Sequence, residues 1–442
     1  MTRIRVSFVV LCVVLTGLWL MADPLLITPY QYNAMRQSLI NYTGIIAIGV
    51  MSVAMMLALR PVFLETSLGG LDKTYRLHKW LGVAALVMAV AHWLWITAPD
   101  WLISAGLMAR PARGGAPRAA AHDFELLRSL SGAAKGVGQW CFWAAVALIV
   151  LALIKRFPYR YFLSTHRLLS IVYLVLVFHS VVLMKFIYWS KPLAWVMVLL
   201  FSGGTVAAVI TLFRKVGRRR QVVGEIAGVK HHEDVRILEV NINTRDRWGG
   251  HKAGQFAFVN FGDGEGPHPF TISSQWNDDG CLRFLIKHLG DYTGSLPTRL
   301  NVGDLVTVEG PYGRFNFSGR TQRQIWVSGG IGITPFISRM EELAKQPDGK
   351  TIDLFHATSV QDPETIDKLK AIAQRASVNM HVWVSAQDGF LTAERIKQEV
   401  PDWKSADVWF CGPIQFGQDL RKDFRGSGLS ANAFHEELFH LR

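Results

Sequence analysis

Six apolar stretches fill the first half of this 442-residue chain: Val6–Ala22, Leu39–Leu59, His78–Ala98, Val137–Ile154, Leu168–Met184 and Leu193–Phe213. Each is near the roughly 20 residues that an α-helix needs to cross a hydrocarbon core of about 30 Å. The chain is therefore expected to place a bundle of six helices in a membrane and to fold the remainder separately. Arg3 and Arg5 ahead of the first stretch resemble the start of a secretion signal. Ala22-Asp23-Pro24 is a poor small-residue cleavage site, however, so the stretch is read as an anchor.

The third stretch carries two histidines, and the fifth carries one with a second two residues ahead of its start. His78 and His92 bracket HKWLGVAALVMAVAH, and His166 and His179 bracket HRLLSIVYLVLVFH. Helical rise separates the members of each pair by about 20 Å, which sets one imidazole near each membrane face. A single histidine in lipid would suit a hydrogen-bonded bundle interior. Four at matched spacings suit two axial pairs, the arrangement that holds low-spin haem iron for electron transfer. At about 100° per residue His78 and His92 share a helix face, whereas His166 and His179 fall about 140° apart. That mismatch predicts a local over-winding or a wide cavity between the last two.

This spacing in the third and fifth of six spans resembles the ferric reductase and NADPH oxidase superfamily, with a bacterial oxidase-like layout. The two spans run in the same direction, so His78 would pair with His166 on the inner side and His92 with His179 on the outer. Four cysteines, Cys12, Cys141, Cys281 and Cys411, form no C-x-x-C motif. Zinc knuckles, thioredoxin chemistry and covalent haem attachment are thereby excluded, and two haem b groups are expected.

Loop charge sets the expected orientation. Arg3, Arg5, Arg60, Lys73, Arg76, Lys155, Arg156, Arg160, Arg214, Lys215 and Arg218 to Arg220 fall on the side shared by the N-terminus and the second half of the chain. That side is read as cytoplasmic, in a bacterial-type inner or plasma membrane. The opposite loop, Pro99 to Gly136, mixes Arg110, Arg113, Arg118, Arg128 and Lys135 with three acids. It is read as a solvated connection, with a positively charged mouth for an anionic acceptor as the sharper alternative.

From Gln221 to about Phe317, short alternating runs (VVGEIAGV, DVRILEVNI, GQFAFVNF, HPFTISS, LRFLIKHL, DLVTVEGPYG) predict an antiparallel β-barrel. Two stretches in it carry chemistry. In His268-Pro269-Phe270-Thr271-Ile272-Ser273, alternation points Thr271 and Ser273 the same way, toward a flat heteroaromatic ring. In Lys287-His288-Leu289-Gly290-Asp291-Tyr292-Thr293-Gly294, a lysine and two glycines ahead of a helix start suit a pyrophosphate. The superfamily resemblance implies FAD here, with Thr271 by the reactive edge of the ring and the K-x-x-G-x-x-T pattern as diphosphate cradle.

Beyond Gln322 the pattern changes to strand, glycine turn and helix. QIWVSGG runs into Ile331-Gly332-Ile333-Thr334-Pro335, and TIDLFHATS, NMHVWVSA and DVWFCGP supply further strands of a parallel sheet. The order of GGIGITP and Cys411-Gly412-Pro413 resembles the nicotinamide domain of ferredoxin reductases. It implies that Gly329, Gly330, Gly332, Thr334 and Pro335 meet NAD(P)H and that Cys411 lies near the nicotinamide. It also implies a terminal aromatic over the flavin, Phe439 or, failing that, Phe434. After Ser359 the segment Val360-Gln361-Asp362 offers no cation for a 2′-phosphate, which favours NADH unless a residue such as Arg375 intervenes.

The expected architecture is thus a six-span di-haem bundle (1–216), an FAD-binding barrel (217–320) and an α/β nucleotide-binding domain of ferredoxin-reductase type (321–442). A hydride donor gives two electrons together and a haem iron takes one, so a flavin between them is the expected adaptor. The expected role is an NAD(P)H-dependent oxidoreductase that sends electrons across the membrane to oxygen or a ferric chelate. A haem-binding scaffold with a vestigial reductase is the alternative from another class. Membrane lipid and the small acceptor are the expected partners; nothing points to nucleic acid or an obligate protein partner.

Overall fold

The computed structural model describes residues 2–23, 32–109, 125–154, 156–319 and 321–437. The chain divides into two compact units, the main break falling between Val216 and Gly217. The first unit holds α1 (Thr2–Ala22), α2 (Tyr32–Ala58), the short α3 (Val62–Leu68), α4 (Leu71–Ser104), α5 (Glu125–Leu153), α6 (Tyr159–Leu183) and α7 (Pro192–Leu212). Six of these are long and apolar enough to cross a membrane.

Five of the six spanning helices begin four or more residues ahead of their apolar stretches. Hydropathy marks only what touches hydrocarbon, whereas backbone hydrogen bonding continues past it, so α4 begins seven residues before His78 and runs through Pro99. Pro99 has no N–H to give the Trp95 carbonyl one turn back. Arg36 of α2 supplies that donor, its Nε reaching the Trp95 oxygen at 2.8 Å and its Nη2 the Ile96 oxygen at 2.9 Å. The loop expected from Pro99 therefore starts later; Arg110, Arg113 and Arg118, like Lys155, lie outside the described residues.

α2 and α7 pack closely along their length, as do α5 with α6 and α6 with α7. Tyr173, buried at the middle of α6, fixes one such seam by a 2.9 Å hydrogen bond to Ser52 of α2. By contrast, α4 makes no comparably close backbone approach to any of the long helices, and meets its neighbours through side chains such as Leu77, Leu81 and Ala85. At the end of α1, Lys185 closes on Asp23 at 2.6 Å and on Ser38 at 3.1 Å, which ties α1 and α2 to the α6–α7 connection.

The second unit opens with a six-stranded antiparallel sheet: β1 (Gln221–His232), β2 (Ile237–Thr244), β3 (Phe256–Asn260), β4 (His268–Thr271), β5 (Cys281–Lys287) and β6 (Leu305–Tyr312), in spatial order 4-3-6-1-2-5. The Ile272–Phe284 bridge links its two outer strands, so the sheet closes as a barrel. Alternation does the work the sequence promised, with Leu238, Val240 and Ile242 of β2 and Leu282, Phe284 and Ile286 of β5 all pointing into one core. A single-turn helix, α8 (Asp291–Ser295), lies between β5 and β6.

A five-stranded parallel sheet follows, in spatial order β11-β10-β7-β8-β9. In chain order its elements are β7 (Arg323–Gly329), α9 (Thr334–Lys345), β8 (Thr351–Thr358), α10 (Pro363–Arg375), β9 (Asn379–Val384), α11 (Ser385–Asp388), α12 (Ala393–Glu399), β10 (Asp407–Cys411), α13 (Ile414–Gly426) and β11 (Phe434–Glu436). β7 is buried from Gln324 onward on both faces, as a central parallel strand between helical layers should be.

Candidate functional site

In the first unit the four histidines assemble as two facing pairs between α4 and α6. Ring centroids lie 5.9 Å apart for His78 and His166 and 6.4 Å apart for His92 and His179. Two imidazoles sharing an iron at roughly 2 Å per bond, each donor nitrogen roughly 1.1 Å from its own centroid, would stand roughly 6.2 Å apart. Three of the rings are aimed by backbone carbonyls: His78 Nδ1 sits 2.9 Å from the Ala54 oxygen, His92 Nδ1 2.8 Å from Ile40, and His179 Nδ1 2.8 Å from Ala134. A carbonyl at Nδ1 takes that proton and leaves Nε2 with a lone pair that could hold a metal.

The residues fit haem in two further respects. No group of three histidine, cysteine or acidic side chains that could hold a bare metal ion occurs among the described residues, and two facing imidazoles suit a macrocycle that brings four donors of its own. The stand-off of α4 from α6 also suits a flat ring between them. Glycine makes room behind the ligands: a Cβ at Gly138 of α5 would lie 2.3 Å from His179 Nδ1, and one at Gly44 of α2 would lie 3.2 Å from His92 Cε1.

The distortion expected between His166 and His179 is absent, for α6 is unbroken α-helix from Tyr159 to Leu183. The two side chains take up the angle instead. His166 leans along the helix to stack on Phe162 at 5.1 Å, while His179 swings toward α5 and the Ala134 carbonyl. A ring on two rotatable bonds covers an angle that a rigid helix face would not.

In the barrel, His268 stacks on Tyr292 at 4.0 Å, joining the two sequence motifs. Burial pushes its imidazole down to about 4, against the pull of the Asp263 carboxylate. Pro269 and Phe270 pair with Phe258 and Ala257, and Thr271 closes β4 opposite Phe256. Ser273 does not offer its hydroxyl to a ligand as expected: it is fully buried and donates to the Arg283 carbonyl at 2.9 Å. The strand ends at Thr271, so the alternation extrapolated to Ser273 fails there.

The second motif is also more self-contained than its pattern implied. Thr293 accepts from the backbone N–H groups of Leu289 at 3.0 Å and Gly290 at 3.3 Å, and so caps α8. A Cβ at Gly294 would collide with His288, while Gly290 faces open space. Lys287 extends toward the nucleotide domain, its Nζ 3.5 Å from where a Cβ on Gly330 would stand.

The GGIGITP and CGP turns pack backbone on backbone. A Cβ on Gly332 would lie 2.1 Å from the Cys411 oxygen, and one on Gly329 would lie 2.6 Å from Pro413. These two glycines thus admit the neighbouring turn, and Gly412 returns the fit, since a Cβ there would stand 2.9 Å from the Gly329 nitrogen. Gly330 has φ +54°, the left-handed region that favours glycine. Thr334 donates to the Ile331 carbonyl at 3.1 Å and Pro335 follows at the head of α9.

Cys411 is buried, and burial followed by the nearby Glu437 carboxylate pushes its thiol up. Glu437 was not singled out from the sequence, where it is one acid in a mixed tail; only the fold shows it buried beside Cys411. Phe439 lies outside the described residues. Phe434 is no substitute, since it pairs with Val408 in β11 and packs in the sheet core near Phe424. Asp362 caps α10 through Thr365, and Arg375 closes the far end of that helix, about 20 Å away by helical rise.

Family models match three successive parts of the chain: a ferric reductase like transmembrane component over residues 43–177, an oxidoreductase FAD-binding domain over 227–317, and an oxidoreductase NAD-binding domain over 326–422. The chain joins a ferric-reductase-like membrane component to an FAD- and NAD-binding oxidoreductase. His78, His92 and His166 fall inside the first match and His179 just beyond it.

The reductase half is 29% identical over 195 residues to a flavohemoprotein of Bordetella pertussis, covering 39% of this chain and 48% of that one. It is 26% identical over 208 residues to the glycine betaine monooxygenase reductase subunit of Chromohalobacter salexigens, covering 42% and 56%. The chain thus spans about half the length of these curated relatives. Among solved structures it aligns with the flavohem-like FAD/NAD binding domain of nitric oxide dioxygenase from Vibrio cholerae, at TM-score 0.44, 19% identity and coverage of 49% and 97%.

Proposed function

We propose that this protein moves electrons from NAD(P)H, with FAD and two b-type haems as bound carriers, to an acceptor on the far side of a bacterial-type plasma membrane. The observation that carries the reading is the spacing of the two histidine pairs, each within about half an ångström of what a shared iron requires. A bound flavin would supply the exchange between two-electron and one-electron chemistry, and bound haem would supply one-electron acceptance.

The chain's own residues supply placement. Ala54, Ile40 and Ala134 hold three imidazoles in one tautomer. His268 with Tyr292 shapes one wall for the flavin, while the Gly329 to Pro335 turn and Cys411-Gly412-Pro413 shape the nicotinamide side. The charges of Arg3, Arg5, Arg60, Lys73 and Arg76 support a cytoplasmic N-terminus and reductase.

Oxygen and ferric chelates are the acceptors that suit such a conduit. Purified protein supplied with nucleotide and FAD should reduce one or both: superoxide-dismutase-sensitive cytochrome c reduction reports oxygen, and a colorimetric ferrous chelator reports iron. Bound flavin that is reduced by nucleotide with no reduced b-haem bands following would sink the proposal.

A further inference from the structure

We propose that one face of α9 is a positioning zipper that fixes the nicotinamide turn against the flavin strand. The face consists of Ser338, Glu341 and Lys345, spaced three and four apart and therefore stacked along one side of the helix. Ser338 Oγ donates to the Ser274 carbonyl at 2.7 Å. The Glu341 carboxylate accepts from the Gln275 backbone N–H at 3.2 Å and from Arg283 Nη2 at 2.6 Å. Lys345 Nζ donates to Asn277 Oδ1 at 2.7 Å.

The partners are not scattered. Ser274, Gln275 and Asn277 continue directly from β4, the strand that begins with His268, and α9 begins directly after the Gly329 to Ile333 turn. Each cofactor-facing segment is thus the leading end of an element whose next few residues are laced to the other. Arg283 doubles the joint, since the same Nη2 also reaches the Ser273 carbonyl at 2.9 Å. Arg283 and Glu341 are both largely shielded from solvent, where a charge-assisted hydrogen bond holds geometry better than an exposed pair would.

Hydride transfer falls steeply with donor–acceptor distance, and a misplacement of about 1 Å costs up to about a hundredfold in rate. The zipper spans the two segments whose separation sets that distance. Its residues touch neither cofactor in this reading, so they act on rate through alignment and leave the affinity for each cofactor to other groups. This inference rests on the proposed nucleotide-to-flavin reaction.

The test uses the full-length protein and the variants Glu341→Ala, Glu341→Gln, Ser338→Ala and the exchange Arg283→Glu with Glu341→Arg. Amide hydrogen exchange on the flavin-free protein comes first. Protection of the Gln275 N–H should fall at least about tenfold in Glu341→Ala, as expected for losing a bond to a charged acceptor, with the barrel core unchanged. In FAD-loaded protein, anaerobic flavin reduction by NADH should slow about ten- to a hundredfold, with FAD content and KM for nucleotide within about twofold of the parent. The exchanged pair should recover part of that loss.

Unchanged flavin reduction in Ser338→Ala and Glu341→Gln overturns the proposal, and so does a loss of FAD content and rate in parallel. If Glu341→Ala does not fold, those two milder variants decide. Wild-type flavin that no nucleotide reduces defeats the proposed function instead, and leaves the exchange measurement to judge the zipper.

Discussion

At the scale of single residues, glycine placement behind the histidines is the sharpest handle. Gly138→Ala would drive a methyl to within 2.3 Å of His179 Nδ1, whereas Gly44→Ala meets His92 at 3.2 Å and needs only a small shift. The expected result is haem content falling from two per chain to about one in Gly138→Ala and staying near two in Gly44→Ala, by pyridine haemochrome assay. Neither glycine stood out in the sequence, because a glycine within an apolar helix has many uses and only the neighbouring helix reveals this one. The histidines were legible because lipid penalises an imidazole that has no partner. Ser273 and Thr293 were legible as polar residues in the right motifs, but not the direction of their hydroxyls, which turn back to Arg283 and to α8.

Titration belongs to this scale too. Burial, and then the charge of Lys287, push the His356 imidazole down to about 4, where it bonds Ser328 Oγ at 2.9 Å. Unfolded histidine binds a proton near 6.5, so between about 6.5 and 4 the unfolded state takes up protons that the folded state refuses. Stability from this group is complete above pH 6.5 and drains as pH falls, on the order of 3 kcal/mol in all. Urea midpoints of the reductase transition should fall across that window, and His356→Gln should flatten the fall.

At the scale of elements, hydropathy located all six spans but not their ends, and the added turns are where function gathers. The passage of α4 through Pro99 depends on Arg36, which no local rule links to a proline 63 residues later. Arg36→Ala would orphan the Trp95 carbonyl and cost about 1–3 kcal/mol. Pro99→Ala restores an N–H to the helix, so the double variant should regain most of that loss; detergent-melting temperatures of the four proteins check the cycle. The barrel strands were readable for a simpler reason, since a period of two survives in β2 and β5 without interruption. An unbroken α6 is not legible from helix-face spacing alone, because the imidazole's own torsions supply the missing rotation.

At the scale of the whole molecule, the main break between the two compact units falls at Val216–Gly217. Residues 217–442 produced alone should retain FAD and reduce ferricyanide with NADH at a rate within about tenfold of the full chain, while losing all b-type absorbance. A fragment that cannot hold flavin would show that the membrane half completes the site.

The two imidazole pairs sit one above the other along α4, about 21 Å apart by helical rise. In the proposed orientation, with the reductase inside, an electron handed from the lower level to the upper would cross most of the membrane's voltage drop, worth about 2.3 kcal/mol per 100 mV. An interior-negative cell drives that passage outward and opposes its return, so the protein would act as a rectifier. In inside-out vesicles, whose reductase faces the bath, turnover should slow as the lumen becomes negative, and a cation ionophore that collapses the potential should restore it.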